Sequence, residues 1–419
     1  MRLAGRPRGN PTEQSMTDTL SPRILLIETP DDAAREMRRI GVCDGGVDAM
    51  VGKATTLVIK VAGATVPAAH VLKQQMLSLG GDAAVAKDVI THAVDSTDVL
   101  IMGTRNQIRS LAGKLGWQPF GLPELGKALT SLLATLEDTH TRSLRAREHV
   151  IDVGGRTQVM GILNVTPDSF SDGGSFATPS SAVEHALRMI DEGADIIDVG
   201  GQSSRPGSEE VEESEELSRT IPVIEKLRAE WKGPVSIDTY RSRVAEAALE
   251  AGASIVNDIT AFTAEPSIAN VAARFDAACV LMHMQGTPAT MQLEPRYDDL
   301  MGEIAAFLGA AVERAVSAGI GSDQIAVDPG IGFGKTTEHN LAILRRLPEL
   351  SVIGMPILIG TSRKAFIGKV LDLPVEQRLE GTLATAAYAV VQGARILRVH
   401  DVAPVVRAIR MVEACLSSR

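Results

Sequence analysis

Residues 159–201 read VMGILNVTPDSFSDGGSFATPSSAVEHALRMIDEGADIIDVGG. The stretch opens with an aliphatic run, Val159–Val165, and closes on a second one, Ile196–Val199. Between them the apolar residues recur at helical spacing, with Ser180 placed to cap the helix and Gly193 placed to end it. This alternation predicts a strand, a crossover helix and a second strand parallel to the first.

The same strand–helix unit recurs as far as the C-terminus. Eight such units in about 250 residues predict an α/β fold of the (β/α)8 TIM barrel type. An open, doubly wound sheet is the alternative, but units of nearly equal length favour closure. The predicted strands are Val159–Val165, Ile196–Val199, Val235–Ile237, Ser254–Asn257, Ala278–His283, Ile325–Asp328, Ile357–Ile359 and Ile396–Val399.

Residues 23–139 predict a small α/β or α+β domain ahead of the barrel, since short strand and helix patterns alternate there. Residues 140–151 are predicted to be a linker with a helical stretch, and residues 1–22 a disordered leader. No Gly-rich phosphate loop is found in this domain, so its expected role is oligomerisation or scaffolding, with ligand sensing as the alternative. The predicted elements are strands Arg23–Glu28, Thr55–Val61, Ala83–Ala86 and Val99–Gly103, helices Asp31–Ile40, Pro67–Leu79, Gln107–Leu115 and Leu122–Leu136, and a turn at 44–46.

The composition excludes several classes of protein. The chain of 419 residues has a formal net charge of −10, which argues against nucleic-acid binding. No apolar run approaches the roughly 18 residues that cross a bilayer, so no membrane association is expected. Cys43, Cys279 and Cys415 lie far apart without metal-ligand spacing. They are predicted to be unpaired thiols in a reducing, cytoplasmic environment.

Polar residues stand at the end of every predicted barrel strand, where the loops of a TIM barrel form the active site. Three of them, Asp198, Asp238 and Asp328, would repel one another without a cation or several N–H donors nearby. Arg205, Lys364, Arg398 and His400 form a cationic set suited to an anion such as pyrophosphate. The strand ends are Asn164, Asp198, Asp238, Asn257-Asp258, His283, Asp328, Ser362-Arg363-Lys364 and Arg398-His400-Asp401.

The carboxylates and amides Asp238, Asn257 and Asp328 suit a planar heterocycle with amidine-like edges. A carboxylate can accept two parallel N–H bonds from such an edge, as it does from arginine. The rim therefore divides into an anion-binding half and a heterocycle-binding half.

Eight short motifs lie at these strand ends in a fixed order. Together they resemble the signatures of the dihydropteroate synthases, and the resemblance runs from about Asp152 to the C-terminus. The motifs are NVTPDSFSDGG (164–174), GGQSSRPG (200–207), SIDT (236–239), VND (256–258), LMHMQGTP (281–288), DPGIGFGK (328–335), TSRK (361–364) and RVHD (398–401).

The resemblance implies a magnesium-dependent homodimer of a sulfonamide-target family, which joins a pterin pyrophosphate to p-aminobenzoate. The catalytic positions would be Asp238, Asp172 and Lys364, with Asn164 and Asp172 completing the Mg²⁺ site. The implied pterin ligands are Asp238, Asn257, Asp328, Lys364 and Arg398, and the implied pyrophosphate ligands are Arg205, Arg398 and His400. The implied p-aminobenzoate pocket is formed by Ser204, Pro206, Phe333, Ser362 and Lys364.

Two positions depart from the family's usual Glu-Ser-Thr-Arg-Pro-Gly motif. Gln202 replaces the acid and Ser204 the threonine. Two alternatives remain for this pattern: a methyltetrahydrofolate-dependent corrinoid methyltransferase, and a pterin-binding relative without catalytic activity. The methyltransferase has no need of the Ser-Arg-Pro-Gly loop or of an anion-binding group at Ser362-Arg363-Lys364, which favours the synthase.

Overall fold

The computed structural model describes residues 22–27, 29–137, 143–165, 178–202 and 211–417. These residues form two compact units that divide between Leu129 and Thr130. The division falls within a helix, Leu122–Glu137, and thus before the boundary predicted near residue 139. The second half of this helix belongs to the barrel unit, where the Thr135 side chain lies against Gly354.

The N-terminal unit contains a three-stranded antiparallel sheet covered by helices, which makes it α+β. β1 (Thr56–Thr65) and β2 (Asp82–Val85) both pair with the central strand β3 (Ser96–Thr104). Buried side chains such as Leu72, Ile101 and Leu111 form its core. Its helices are α1 (Pro30–Arg39), α2 (Asp44–Met50), α3 (Val66–Ser78), α4 (Arg105–Leu115) and the first part of α5 (Leu122–Glu137).

Two predictions for this unit are wrong. Residues 23–27, predicted as part of a strand, have no regular secondary structure and are mostly exposed, because no neighbouring strand pairs with them. The stretch predicted as a turn at residues 44–46 instead begins α2, whose buried Val47 packs into the unit. Tertiary burial overrides the glycines' preference for a turn there.

All eight predicted barrel strands are present and parallel. The sheet runs β11-β10-β9-β8-β7-β6-β13-β12, and a parallel bridge between Val327 and Ile357 joins its two ends. The TIM barrel is therefore closed, as predicted. Its strands are β6 (Gln158–Asn164), β7 (Ile196–Gly200), β8 (Val235–Asp238), β9 (Ile255–Asp258), β10 (Ala278–Met282), β11 (Ile325–Asp328), β12 (Leu358–Ile359) and β13 (Ile396–Val399).

The barrel helices form an outer layer whose apolar faces pack on the strands. The first begins at Pro179, and its cap is Thr178 rather than the predicted Ser180. None of the described helices combines the length and the apolarity needed to cross a bilayer. The helices are α6 (Pro179–Asp191), α7 (Glu213–Glu230), α8 (Ser242–Glu250), α9 (Ser267–Arg274), α10 (Leu300–Ser317), α11 (Thr337–Arg346), α12 (Ala365–Leu371), α13 (Leu379–Val391) and α14 (Val402–Ser417).

The predicted linker contains a β-hairpin rather than a helical stretch. β4 (Ser143–Ala146) pairs antiparallel with β5 (His149–Asp152). Leu144, Ala146 and Ile151 are buried against the apolar interior of the barrel, so the hairpin covers one end of it. Apolar and charged residues alternate along these strands, as expected for a strand with one buried face. The alternation is short and interrupted by charges, so the sequence alone did not indicate that one end of the barrel would bury the apolar face.

The turn after β11 passes very close to the end of β10. Gly330 has a φ of 70°, and a Cβ there would overlap the carbonyl oxygen of His283. Gly334 has a φ of 63°, and a Cβ would lie 2.5 Å from the carbonyl oxygen of Gln285. Both positions combine a left-handed backbone with close contact to another chain segment, so only glycine fits.

We expect Gly330→Ala to lower the free energy of unfolding by more than about 2 kcal/mol, through left-handed strain and displacement of the β10 end. Gly309→Ala is the matched control, because Gly309 lies within α10 and its missing Cβ would point into open space. That change should raise stability by about 0.5–1 kcal/mol. Urea denaturation measures both, and equal effects would contradict this account of the turn.

Candidate active site

A layer of polar side chains lies inside the barrel, directly above an apolar layer. Side chains alternate between the two faces of a strand, so residues two apart point the same way. Ile196 and Ile396 belong to the apolar interior, and Asp198 and Arg398 follow two residues later on the same strands. The spacing brings Asn257 above Ile255 and Asp328 above Ala326 in the same manner.

Arg398 lies at the centre of this layer. Its Nε donates to Oδ2 of Asp198 at 2.6 Å, and its Nη2 donates to Oδ2 of Asp238 at 2.7 Å. Asp198 is fully buried, and its Oδ1 has no hydrogen-bond partner among the described residues. The protein itself therefore supplies the cation that these crowded carboxylates were predicted to need.

Asn257 and Asp328 complete the buried acceptor set. The side-chain amide of Asn257 donates to Oδ2 of Asp198 at 3.2 Å. Oδ1 of Asp328 accepts the backbone N–H of Gly330 at 2.7 Å. Both residues are less than one-tenth exposed, so a ligand reaching them would exchange water for directed hydrogen bonds.

Burial governs the protonation of this layer. Loss of solvation raises the pKa of Asp238 to about 7, a rise that Arg398 opposes and Asp198 reinforces. Burial also raises the pKa of Asp328. Although burial works against its charge, the neighbouring carboxylates raise the pKa of Arg398, so the guanidinium stays ionised. One arginine thus stays charged beside Asp238, whose carboxyl group can take up or release a proton near neutral pH.

Lys364 extends the cationic side towards an apolar wall. It occupies the N-cap position of α12, and its Nζ lies 4.1 Å from the centre of the Phe333 ring. Phe333 belongs to a small apolar cluster with Ile259, Met282 and Met291. The cluster gives the rim a surface against which a flat aromatic ring can pack. Sequence reasoning missed its aliphatic members, because apolar residues at strand ends look like ordinary core.

His400 is oriented by Ser362. The backbone N–H of His400 donates to Oγ of Ser362 at 3.1 Å, and Nδ1 of its ring lies 3.0 Å from the same oxygen. When the serine hydroxyl donates to Nδ1, the proton of the neutral imidazole stands on Nε2. In that tautomer His400 presents an Nε2–H donor that suits an anion.

Three strand-end residues have structural roles instead of a place on the binding rim. Asp258 accepts three hydrogen bonds from the Thr260–Phe262 turn. The guanidinium of Arg363 is bound through two nitrogens to Asp401, so it is not part of the predicted anion-binding group. His283 is buried against Lys335 and Phe307. Each of these side chains has hydrogen-bond partners within the protein, and its position in the sequence does not show who those partners are.

Asn164 ends β6 and lies next to Asp238 across Gly200. A Cβ at Gly200 would lie 3.6 Å from Oδ1 of Asn164 and 3.7 Å from Oδ2 of Asp238. The predicted site residues Asp172, Ser204, Arg205 and Pro206 lie outside the described residues. Within the described ranges, no cluster of three or more His, Cys, Asp or Glu side chains could hold a metal ion.

Gln202 lies where the second motif leaves β7. Its Nε2 donates to the hydroxyl of Tyr240 at 3.0 Å, and Arg219 binds the carbonyl oxygen of the preceding Gly201. Below them the buried Glu216 and Arg241 form an ion pair of 3.0 Å. The amide thus keeps a hydrogen bond in the base of this loop that a carboxylate could make only by accepting the tyrosine proton.

The fold and the rim define a TIM-barrel enzyme that binds an aromatic heterocycle beside an anion. The family model described as "Pterin binding enzyme" matches residues 160–400. A dihydropteroate synthase from Synechocystis sp. is 50% identical over 283 residues, which are 67% of this chain and 98% of that protein. This chain belongs to the dihydropteroate synthase family of pterin-binding enzymes.

Solved structures and a longer relative agree with this assignment. A Yersinia pestis dihydropteroate synthase in a sulfonamide drug complex is 46% identical, with a TM-score of 0.63 over 66% of this chain and 99% of that one. A Xanthomonas albilineans dihydropteroate synthase with 4-aminobenzoic acid is 42% identical, with a TM-score of 0.62 over 66% and 98%. A probable bifunctional folylpolyglutamate synthase/dihydropteroate synthase from Halobacterium salinarum is 39% identical over 93% of this chain and 46% of its own length.

We expect Asp238→Asn to change how stability depends on pH. The folded carboxyl keeps its proton up to about pH 7, whereas an unfolded aspartate ionises near pH ~3.9. The unfolded state releases this proton first, so raising the pH through that interval lowers the stability of the wild type. Asparagine cannot ionise and escapes this loss.

Urea denaturation at a series of pH values measures the difference between variant and wild type. It should shift in favour of the variant from about pH 4 to about pH 7 and then level off. Asp372→Asn, at an exposed position, controls for the chemical change and should not follow this profile. A constant difference for Asp238→Asn would contradict the raised pKa.

Proposed function

We propose that the barrel condenses 6-hydroxymethyl-7,8-dihydropterin pyrophosphate with p-aminobenzoate, giving 7,8-dihydropteroate and pyrophosphate for folate biosynthesis. The observation that carries this is the buried layer in which Asp238, Asn257 and Asp328 converge beside Arg398 and an apolar wall. The enzyme is accordingly a transferase of the dihydropteroate synthase type.

The pterin ring suits this layer chemically. Its amino-pyrimidine edge offers paired N–H donors, which the carboxylates of Asp238 and Asp328 can accept. The Lys364 ammonium and the Asn257 amide can meet the ring's carbonyl and ring-nitrogen acceptors. The flat face of the ring can pack on Met282 and Ile259 of the apolar cluster, where little water remains.

The pyrophosphate would lie on the outer, cationic side of the ring. Arg398 uses Nε and Nη2 for the two carboxylates, which leaves Nη1 for an oxygen of the anion. His400, whose Nδ1 faces Ser362, would donate to the pyrophosphate from Nε2. Arg205 is the third proposed ligand, on the resemblance alone.

The reaction breaks the bond between the pterin CH2 carbon and the pyrophosphate oxygen and forms a bond from that carbon to the arylamine nitrogen. The amine loses a proton, and the leaving pyrophosphate takes the bonding electron pair. Cations at Arg398 and Lys364 stabilise the negative charge that grows on the leaving group. Asp238 and Asp172 would stabilise positive charge at the carbon, and no covalent enzyme nucleophile is required.

The arylamine would approach over Phe333 and Lys364, whose contact forms one wall of its pocket. The Lys364 ammonium can pair with the carboxylate of p-aminobenzoate or hold the pterin, and Ser362 borders the same region. Ser204 and Pro206 are the remaining proposed contacts. A dihydropteroate synthase solved with 4-aminobenzoic acid supports this substrate, and the predicted homodimer stays a prediction.

Magnesium is the proposed cofactor, with Asn164 and Asp172 as its protein ligands. Asn164 offers an amide oxygen at the rim, beside Asp238. Mg²⁺ usually needs only one or two protein oxygens when substrate phosphates supply the others, so this donor set fits. When bound, the ion would neutralise charge on the leaving pyrophosphate.

Purified protein with both substrates and Mg²⁺ should form dihydropteroate.

We expect Asp238→Asn to lower kcat by more than about a hundredfold while weakening pterin binding far less, because the negative charge matters most as the carbon becomes positive. Asp323→Asn is the matched control, because Asp323 is exposed and pairs with Arg145 of β4. It should leave both values unchanged. Calorimetry gives the affinity and product formation gives kcat.

The outcomes separate this proposal from its alternatives. Well-folded wild type without product would disprove the synthase activity. Methyl transfer from methyltetrahydrofolate to a corrinoid protein would establish the methyltransferase instead. Tight binding of the pterin pyrophosphate without turnover would indicate a non-catalytic relative, and equal losses of affinity and kcat in Asp238→Asn would assign that residue to binding alone.

We expect Asn164→Ala to raise the Mg²⁺ concentration that gives half-maximal activity, by about tenfold, because one oxygen ligand is lost. Excess Mg²⁺ should recover most of the activity. Asn270→Ala, at an exposed position of α9, is the control and should leave the Mg²⁺ dependence unchanged. Activity that is unaffected by a chelator would rule out the proposed cofactor.

A further inference from the structure

Lys335 carries a buried amine that the chemistry above does not use. Burial lowers the pKa of Lys335 to about 7, although the neighbouring Asp328 favours the charged form. Only 3% of the residue is exposed. Its Nζ lies 2.9 Å from Nδ1 of His283, 2.9 Å from the carbonyl oxygen of Phe333 and 3.4 Å from that of His283. Three acceptors match the three N–H bonds of an ammonium group, so the side chain is held in one orientation.

His283 is the fixed partner of this lysine. The residue is 5% exposed, and its ring meets the Phe307 ring edge-on, with 5.0 Å between the ring centres. Burial, together with the Lys335 charge, lowers the pKa of His283 to about 3. The neutral imidazole can therefore accept an N–H bond of Lys335 at Nδ1 without adding a second positive charge.

The bonds of Lys335 join two neighbouring loops. His283 follows the end of β10, and Phe333 lies in the turn after β11. The same turn is also held by Tyr297, whose hydroxyl donates to the carbonyl oxygen of Gly334 at 2.7 Å. The turn is thus bound at two consecutive carbonyl groups, those of Phe333 and Gly334.

Phe333 carries this arrangement to the rim. Its backbone carbonyl is bound by Lys335, while its ring is 8% exposed and lies under Lys364 Nζ at 4.1 Å. A shift of the turn would move the Phe333 ring, and with it the wall that lies against the Lys364 ammonium. Of the pterin-side acceptors, Asp238 and Asn257 lie on other strands. Asp328 ends β11 itself, and its carboxyl group is held by the N–H of Gly330, ahead of the Phe333 carbonyl.

We propose that Lys335 is a positioning residue for the arylamine half of the reaction: it fixes the Phe333 turn to the end of β10, and so sets the wall on which p-aminobenzoate lies against Lys364. This inference rests on the proposed function. Lys335 acts through Phe333 and does not touch either substrate.

Lys335→Met tests this role, because methionine fills a similar volume without donors. We expect the KM for p-aminobenzoate to rise by about tenfold or more, and the KM for the pterin pyrophosphate to change by less than about twofold, since small displacements of a positioning wall are costly. In a Phe333→Leu background the same change should add little, because its effect passes through that ring.

Two further variants separate positioning from stability. Ile409→Val removes a buried methyl group from α14, remote in sequence from the turn, and should lower stability without splitting the two KM values. Tyr297→Phe releases the Gly334 carbonyl alone and should reproduce the p-aminobenzoate effect more weakly. If Lys335→Met fails to fold, Tyr297→Phe tests whether the position of the Phe333 turn determines the KM for p-aminobenzoate.

The results divide cleanly. Selective loss on the p-aminobenzoate side, absent from the Phe333→Leu background, supports the inference. Equal rises in both KM values, or independent effects of Lys335→Met and Phe333→Leu, would overturn it while leaving wild-type activity in place. A wild type that makes no dihydropteroate would instead remove the proposed function on which the inference rests.

Discussion

The ion pairs of Arg398 with Asp198 and Asp238 hold the centre of the rim together. Without the guanidinium, two buried carboxyl groups would face each other in a low-dielectric interior with no cation to offset their repulsion. Breaking a buried pair by removing one partner costs roughly 3–5 kcal/mol, because the remaining charge is left uncompensated. The same arginine orders Asn257 through Asp198, so the orientation of the heterocycle-binding groups depends on this one cation.

The barrel makes that arrangement possible by stacking layers of different chemistry. An apolar interior layer, sealed at one end by the β4–β5 hairpin, lies beneath the carboxylates and Arg398. Above them, Phe333, Met282 and their neighbours form an apolar wall beside Lys364. Every described residue of the proposed site lies in the barrel unit, and the match to the Halobacterium salinarum relative extends over 93% of this chain, well beyond the barrel.

Most of the fold and much of the site could be predicted from local patterns. The eight barrel strands follow from aliphatic runs spaced by helical segments, and Asp238, Asn257, Asp328 and Arg398 follow from their places at strand ends. The strand at residues 23–27 and the helical linker were wrong, since pairing partners and burial decide both. Asp258 and Arg363 show the same limit, because each looks like a rim residue but is satisfied by a turn or by Asp401.

The amino-acid sequence by itself determined that polar residues terminate every strand of a closed α/β barrel, because a strand's period of two and a helix's period of 3.6 are local properties. It also determined the family, through motifs whose order survives as a linear pattern. Only the tertiary structure decided which charges meet: Arg398 bridges Asp198 and Asp238 across intervals of 200 and 160 residues, and Lys335 is directed inward to His283. Those pairings depend on distance in space and on burial, neither of which is encoded at any single position.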